Sequence, residues 1–141
     1  MNIIQATVAD AAEILRLQRL AYQSEARLYH NDHIPPLTQN AAEIEAEFAN
    51  QVFLKATTDD GVIVGSVRAY EQGGTCFIGR LIVHPDHQGR GIGAALMQEI
   101  ESRFPLAQRF ELFTGHKSER NIRFYQRLSY KTLREERVTD A

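Results

Sequence analysis

Apolar residues near the start of the chain change from a strand-like to a helix-like spacing. The short apolar run at residues 2–7 predicts a strand. Asp10-Ala-Ala-Glu13 then resembles a capping box, and Ile14, Leu17 and Ala21 follow it at helical spacing. We therefore expect a strand followed by a helix with one apolar face.

A second helix is predicted beyond an irregular stretch of polar and aromatic residues. That stretch covers residues 22–37 and ends in Pro35-Pro36. Thr38 can cap the helix that follows it. The positions expected to be buried on this helix are Ala41, Ile44 and Phe48.

The middle of the chain is predicted to be an antiparallel meander of three strands. Strand-like runs cover residues 52–57, 62–70 and 75–83, and Asp59-Asp60-Gly61 and Gln72-Gly73-Gly74 separate them. Two strand runs joined by an Asp-Gly turn are a strong signal for a hairpin.

The rest of the chain combines helices and strands around a glycine-rich turn at residues 84–93. This turn leads into a helix with Ile92, Leu96 and Ile100 on one face, and Pro105 stops that helix. The remaining predicted elements are a strand, a helix and a charged strand, at residues 109–114, 118–128 and 131–138. The order β-α-α-β-β-β-α-β-α-β indicates an α/β domain on a mixed, largely antiparallel sheet, expected to occupy residues 1–141 as a single domain.

Composition narrows the class of protein. A chain of 141 residues, 43% of them hydrophobic, fits one domain with a buried core. A net charge of -2 argues against a generally basic nucleic-acid binder. No apolar run approaches the roughly 20 residues of a membrane span, and no secretory signal is visible. Cys76, as a lone cysteine, indicates no oxidising compartment, so we expect a cytoplasmic protein without nucleic-acid or membrane partners.

The spacing Gln88-x-x-Gly91-x-Gly93 marks a candidate phosphate site between a strand and a helix. Glycines let the backbone curl tightly and let a ligand come close, and a helix N-terminus offers free N–H groups to a pyrophosphate. Arg90 adds a charge at the rim. A plain tight turn is the alternative. Neither a P-loop nor a dinucleotide turn fits, because Gly93 is followed by Ala-Ala-Leu and the turn does not follow the first strand of a βαβ unit.

Two segments resemble the motifs of the GCN5-related N-acetyltransferase (GNAT) superfamily. Residues 81–96, LIVHPDHQGRGIGAAL, look like its motif A, and residues 118–130, SERNIRFYQRLSY, are similar to its second signature. The predicted order of elements matches that fold over essentially the whole chain. One departure is Ser129, which stands where the family usually has a glycine at the end of the helix.

The resemblance implies a protein that binds acetyl-CoA. In the family, the strand before the turn splays from its neighbour, so main-chain groups of Leu81 and Val83 would pair with the acetyl and pantetheine portions. The turn and the start of its helix would hold the pyrophosphate. The cofactor-binding residues implied in this way are Leu81, Ile82, Val83, Gln88, Gly89, Arg90, Gly91, Ile92, Gly93, Ser118, Asn121 and Tyr125.

A polar stripe on the later helix carries the candidate chemistry. Ser118, Asn121 and Tyr125 share one helix face; Ser118 could cap the helix, and Asn121 could bond the pantetheine amide. A thiolate that leaves a thioester needs a proton or a hydrogen bond, which a tyrosine hydroxyl can supply. The resemblance assigns this catalytic role to Tyr125. A core aromatic residue with a satisfied hydroxyl is the alternative.

The base and the acceptor remain open at this stage. Glu111, Glu71 and His84 are candidates for deprotonating the amine, and a chain of waters is equally compatible. The loop between the first two helices carries carboxylates and rings suited to a cationic amine, with an ordinary solvated loop as the alternative. These loop residues are Tyr22, Glu25, Tyr29, His30, Asp32 and His33.

The leading interpretation is an acetyl-CoA-dependent N-acetyltransferase in which the primary amine of a small molecule attacks the thioester directly. The alternatives are acetylation of a protein lysine or N-terminus, and a non-catalytic acyl-CoA-binding sensor module. No metal is expected, because His30/His33 and His84/His87 lack a clear carboxylate or cysteine ligand set. Cys76 is expected to be a small buried apolar residue. Exposed sheet edges would permit a homodimer.

Overall fold

The computed structural model describes residues 1–114 and 118–131, and within these ranges five strands form one sheet in the order β1-β2-β3-β4-β5. Their bounds are β1 (Asn2–Gln5), β2 (Val52–Thr57), β3 (Ile63–Gln72), β4 (Thr75–Val83) and β5 (Arg109–Leu112). Strands β1 to β4 are antiparallel neighbours, and β5 runs parallel to β4. The predicted mixed, largely antiparallel sheet is confirmed. The charged strand predicted at residues 131–138 lies, beyond its first residue, outside the described residues.

The helices of the described ranges lie on both faces of this sheet. Their bounds are α1 (Ala11–Ala21), α2 (Gln23–Tyr29), α3 (Pro35–Thr38), α4 (Ala41–Glu47), α5 (Ile92–Ser102) and α6 (Glu119–Arg127). Single 3₁₀ turns precede α1 and α5, at Val8–Asp10 and Pro85–His87. No helix in the described part of the chain is long and apolar enough to cross a bilayer.

The sequence predicts an irregular stretch at residues 22–37, but in the structure this stretch is largely helical. α2 follows α1 after Tyr22 and ends at His30, whose backbone is left-handed with φ 51°. Pro35 and Pro36 stand in the first turn of α3, where the missing N–H costs no hydrogen bond. The polar pattern hid α2 because Ala26 is its one buried residue.

Two helix starts lie elsewhere than predicted. Asn40, not Thr38, caps α4, because Asn40 and Glu43 exchange hydrogen bonds of 2.9 Å between side chain and backbone N–H. Thr38 instead ends α3, and Ala41 is exposed rather than buried. At α1 the reciprocal bond lies one turn earlier than predicted, with the Thr7 N–H donating to Asp10 over 3.0 Å.

The core has two parts, one on each face of the sheet. α5 covers one face with Ile92, Leu96, Met97 and Ile100, while α1 and α4 cover the other with Ile14, Leu17 and Ile44. α5 lies very close to β3 at Gly65, where an added Cβ would come within 3.0 Å of Leu96 Cδ1. This contact sets the height of α5 above the sheet, and so the position of its first turn at the end of β4.

Candidate active site

The neighbouring strands β4 and β5 part halfway along β4. Their pairing runs from Thr75 opposite Arg109 to Ile78 opposite Leu112, where β5 ends. β4 continues to Val83, paired on its other side with β3. Within the described residues, the second edge of β4 at residues 79–83 therefore has no strand beside it. The predicted binding residues Leu81, Ile82 and Val83 lie on this open edge.

A β-bulge bends β4 just before the open edge. Ser66 pairs with Ile82 and Arg68 pairs with Gly79, so Arg80 and Leu81 both stand opposite Val67. Arg80 has a left-handed backbone with φ 51°, which is uncommon for a residue with a side chain. No local sequence signal marked Arg80, because a bulge depends on the register between two strands.

The glycine-rich turn presents the first N–H groups of α5 to solvent. Gly91 is the N-cap residue with φ 81°, and Gly89 has φ 79°, conformations that glycine adopts without steric cost. The helical bonds begin with the Ala95 N–H, which donates to the Gly91 carbonyl over 3.0 Å. The N–H groups of residues 92–94 and the positive end of the helix dipole are thus available to an anion. Ile92 itself is 4% exposed, so its side chain belongs to the core.

Helix α6 packs against the start of α5 and borders the turn. An added Cβ on Gly93 would lie 3.3 Å from Phe124 Cζ, so glycine permits this close approach. Arg120 Nη2 donates to Gln88 Oε1 over 3.0 Å, and Arg90 Nη1 lies 3.4 Å from His87 Nδ1. Arg120 therefore adds a second guanidinium beside the turn. Sequence reasoning missed it, because 32 residues separate it from Gln88.

Tyr125 lies half-buried on α6 with its ring edge-on to two other rings. The ring centroids are 5.1 Å from Phe124 and 6.1 Å from Tyr130. Burial raises the pKa of the Tyr125 hydroxyl well above its usual value, and the nearby Tyr22 and Glu25 raise it further. The hydroxyl is therefore protonated at neutral pH. No described residue accepts its hydrogen, so it is free to donate to a ligand.

Side chains from three elements meet beside Tyr125. Asn121 Nδ2 of α6 donates to Glu25 Oε1 of α2 over 3.4 Å, and Arg80 of the bulge lies close enough to the Tyr22 hydroxyl to lower its pKa in part. Burial raises the pKa of Glu25, and the Asn121 hydrogen bond opposes this shift in part. Burial also raises the pKa of Tyr22. These side chains form the cleft cluster, which consists of Tyr22, Glu25, Arg80, Asn121 and Tyr125.

Other residues of the predicted acceptor loop lie elsewhere. His30, Asp32 and His33 are exposed, and in the described ranges no contact joins them to the cleft cluster. Within residues 1–114 and 118–131, no group of three or more His, Cys, Asp or Glu side chains could hold a metal ion.

The three side chains predicted as candidates for deprotonating the amine either make other contacts or are exposed to solvent. Glu111 pairs with Arg109 over 2.6 Å, Glu71 is exposed, and His84 Nδ1 accepts the Asp86 N–H. The carboxylate that approaches Tyr125 is Glu25. Its sequence position indicated the acceptor loop but not the contact with α6, 96 residues away.

The remaining positions singled out in the sequence are Ser118 and Ser129 at the two ends of α6, and Cys76 in β4. Ser118 takes the N-cap position, but its hydroxyl makes no cap bond to a described residue. Ser129 has a left-handed backbone with φ 75°, and the Tyr130 N–H donates to the Tyr125 carbonyl over 3.0 Å, as in a Schellman motif. The helix therefore keeps the ending typical of glycine. Cys76 is fully buried, as predicted, and burial raises its pKa to about 11.

Comparison with known proteins finds a matching family model and a curated relative. The model of the "Acetyltransferase (GNAT) family" matches residues 12–130. The UPF0157 protein YqkA of Bacillus subtilis is 28% identical over 126 residues, which cover 89% of this chain and 35% of YqkA. The chain thus spans about a third of the length of this curated relative.

Solved structures of two other proteins share the fold. A variant of the BH1408 protein of Bacillus halodurans superposes with a TM-score of 0.83 at 20% identity, covering 99% of this chain and 98% of that one. The PaiA N-acetyltransferase of Thermoplasma acidophilum, solved in complex with coenzyme A, gives a TM-score of 0.79 at 15% identity, covering 91% and 89%. At these identities the likeness shows the fold alone.

Proposed function

Because the chain belongs to the GNAT acetyltransferase family, we propose that it is an acetyl-CoA-dependent N-acetyltransferase that acts on the primary amine of a small molecule. The observation that carries this proposal is the open edge of β4, bordered by the uncapped start of α5 and by the cleft cluster. A strand edge, a free helix N-terminus and a hydroxyl that can donate are the groups that an acyl thioester with a pyrophosphate requires.

The acetyl-CoA site follows from these surfaces. Main-chain groups of Leu81 and Val83 would hold the acetyl and pantetheine portions along the open edge. The N–H groups of residues 92–94 would hold the pyrophosphate, with Arg90 and Arg120 at its rim. Both arginines are exposed, so they can turn toward a bound phosphate without losing a buried partner.

In the proposed reaction the deprotonated amine attacks the thioester carbon directly. The new C–N bond forms as the C–S bond breaks, and the amine loses one proton while the thiol gains one. Tyr125 would donate a hydrogen bond to the departing sulfur. Tyr125 can take this role because its hydroxyl is protonated at neutral pH and donates to no described residue.

A Tyr125→Phe variant tests the proposal. We expect kcat to fall by about 10²-fold or more, the lower range for losing a general acid, while calorimetry shows unchanged affinity for acetyl-CoA. Tyr70→Phe is the matched control, because Tyr70 is 38% exposed on β3 and stacks on Phe77 outside the cleft cluster.

Acceptors in the assay should include polyamines, amino acids, aminoglycosides and lysine peptides, with thiol release as the signal. Turnover of peptides alone would move the acceptor to proteins. Binding of acetyl-CoA without turnover of any acceptor would favour a sensor module. Failure to bind acetyl-CoA would refute the proposed function.

A further inference from the structure

Arg80 is a cation placed at the open edge of β4 by an unusual backbone. It is the bulged residue, half-buried, with φ 51°. Bulges next to active sites commonly redirect a side chain, and non-glycine residues in sparsely populated conformations cluster at functional sites. The residue that follows, Leu81, belongs to the proposed acetyl-CoA edge. The Arg80 guanidinium therefore lies near that edge, beside Tyr22 of the predicted acceptor loop.

The charge of Arg80 is not matched by a carboxylate within the described part of the chain. The group beside it there is the Tyr22 hydroxyl, a neutral phenol whose pKa burial raises further. Burial, helped by the nearby Arg80 charge, lowers the pKa of Arg68 to about 10. Arg68 has its own partner, Glu47, at 3.1 Å, whereas no ion pair joins Arg80 to a carboxylate of the described residues. An anion bound beside Arg80 would supply the ion-pair partner that it lacks among the described residues.

A carboxylate lies near the same Tyr22 hydroxyl without pairing to Arg80. The charges of both Glu25 and Arg80 act on Tyr22, yet no ion pair joins them within the described residues. Glu25 instead accepts a hydrogen bond from Asn121 and lies close enough to Tyr125 to raise the pKa of its hydroxyl. The cleft cluster thus presents one cation and one anion, both half-buried, next to the hydroxyl proposed for catalysis.

We infer that the acceptor carries an anionic oxygen group, such as a carboxylate, within a few bonds of its amine, and that Arg80 binds this anion while Glu25 faces the amine. The inference rests on the proposed function and narrows its acceptors to amino acids and their phosphonate analogues. The planar guanidinium fork of Arg80 matches two oxygens of a carboxylate or of a phosphonate. The Glu25 carboxylate attracts the ammonium form of the acceptor's amine.

The test compares acceptors that differ only in the anionic group. Wild-type protein is assayed for thiol release from acetyl-CoA with each of the common amino acids, with the matching amino acid amides, and with aminoalkylphosphonates. We expect kcat/KM for at least one amino acid or phosphonate to exceed that of its uncharged counterpart by about tenfold to a hundredfold, the usual effect of one charge-assisted hydrogen bond. The carboxylate and phosphonate series then identify which anion is preferred.

Variants at Arg80 connect this preference to one residue. Arg80→Gln should raise KM for the anionic acceptor by about tenfold or more and leave KM for acetyl-CoA unchanged, and Arg80→Lys should restore part of the loss. Arg103→Gln is the control, since Arg103 lies beyond the far end of α5 and pairs with Glu99. An unchanged KM for acetyl-CoA also shows that Arg80→Gln is folded.

Each result decides the inference. Amides acetylated as well as acids, an anionic acceptor unaffected by Arg80→Gln, or no acid acetylated by a protein that binds acetyl-CoA would overturn it. The first two results leave the proposed acetyltransferase function intact. Loss of acetyl-CoA binding in the wild-type protein would overturn both.

Discussion

Replacing Ser129 by glycine is expected to stabilise the protein. Ser129 has φ 75° at the end of α6, where its Cβ meets the strain that the left-handed conformation imposes on residues with side chains. Relief of that strain is worth about 1–2 kcal/mol, and the greater freedom of glycine in the unfolded chain removes about 0.4–1 kcal/mol of it. We therefore expect a net gain centred on about 0.8 kcal/mol in the free energy of unfolding.

This gain is measurable as a shift in melting temperature. Unfolding entropy of about 2.1 cal/mol/K per residue gives about 0.3 kcal/mol per kelvin for 141 residues, so Tm should rise by about 2–3 °C in calorimetry. Ser102→Gly is the matched control, because Ser102 ends α5 and its hydroxyl donates to the Glu99 carbonyl over 2.7 Å. That change should lower Tm. A fall in Tm for Ser129→Gly, or a rise of equal size for both variants, would contradict the reasoning.

Two further changes test the packing of α5 and the burial of the cleft cluster. Gly65→Ala should lower the free energy of unfolding by about 1–3 kcal/mol in denaturant titrations, because its Cβ would lie 3.0 Å from Leu96 Cδ1 and 3.2 Å from the Ile82 carbonyl oxygen; a neutral effect would mean that α5 moves freely on the sheet. Glu25→Gln should raise Tm at pH 7 and lose this advantage below the unfolded-state pKa of a glutamate. The reason is that burial raises the folded-state pKa of Glu25 above its unfolded-state value. The ionised carboxylate therefore destabilises the folded protein once pH rises through the folded-state pKa. An equal effect at both pH values would refute this.

The meander and α5 were predictable because their signals are local. β2 and β4 match the predicted runs at residues 52–57 and 75–83 at both ends, since apolar residues and turn glycines bound them. The buried face of α5 follows from the spacing of Ile92, Leu96 and Ile100. The GNAT fold and family were likewise predicted from the two motifs, and are confirmed.

The chemistry of the cleft depends on contacts that spacing does not encode. The bulge at Arg80 arises because Val67 faces two residues, which is a property of the β3–β4 register. Glu25 reaches Asn121 only because α2 turns toward α6, and α2 itself was hidden by its polar surface. The roles of Tyr125 and of the turn remain predictions, since they depend on a ligand.

The early end of the β4–β5 pairing has a consequence for the cohesion of the molecule. Strands β2, β3 and β4 are joined by two short connections, whereas β5 adds only the four pairs from Thr75–Arg109 to Ile78–Leu112 after the chain has passed through α5. Contacts of this kind close late in folding and open first in the native state. A ligand that lies along the open edge of β4 and touches α6 would bridge the two parts. Acetyl-CoA would then complete the sheet at this joint, and the protein would resist local opening there most strongly while the ligand is bound.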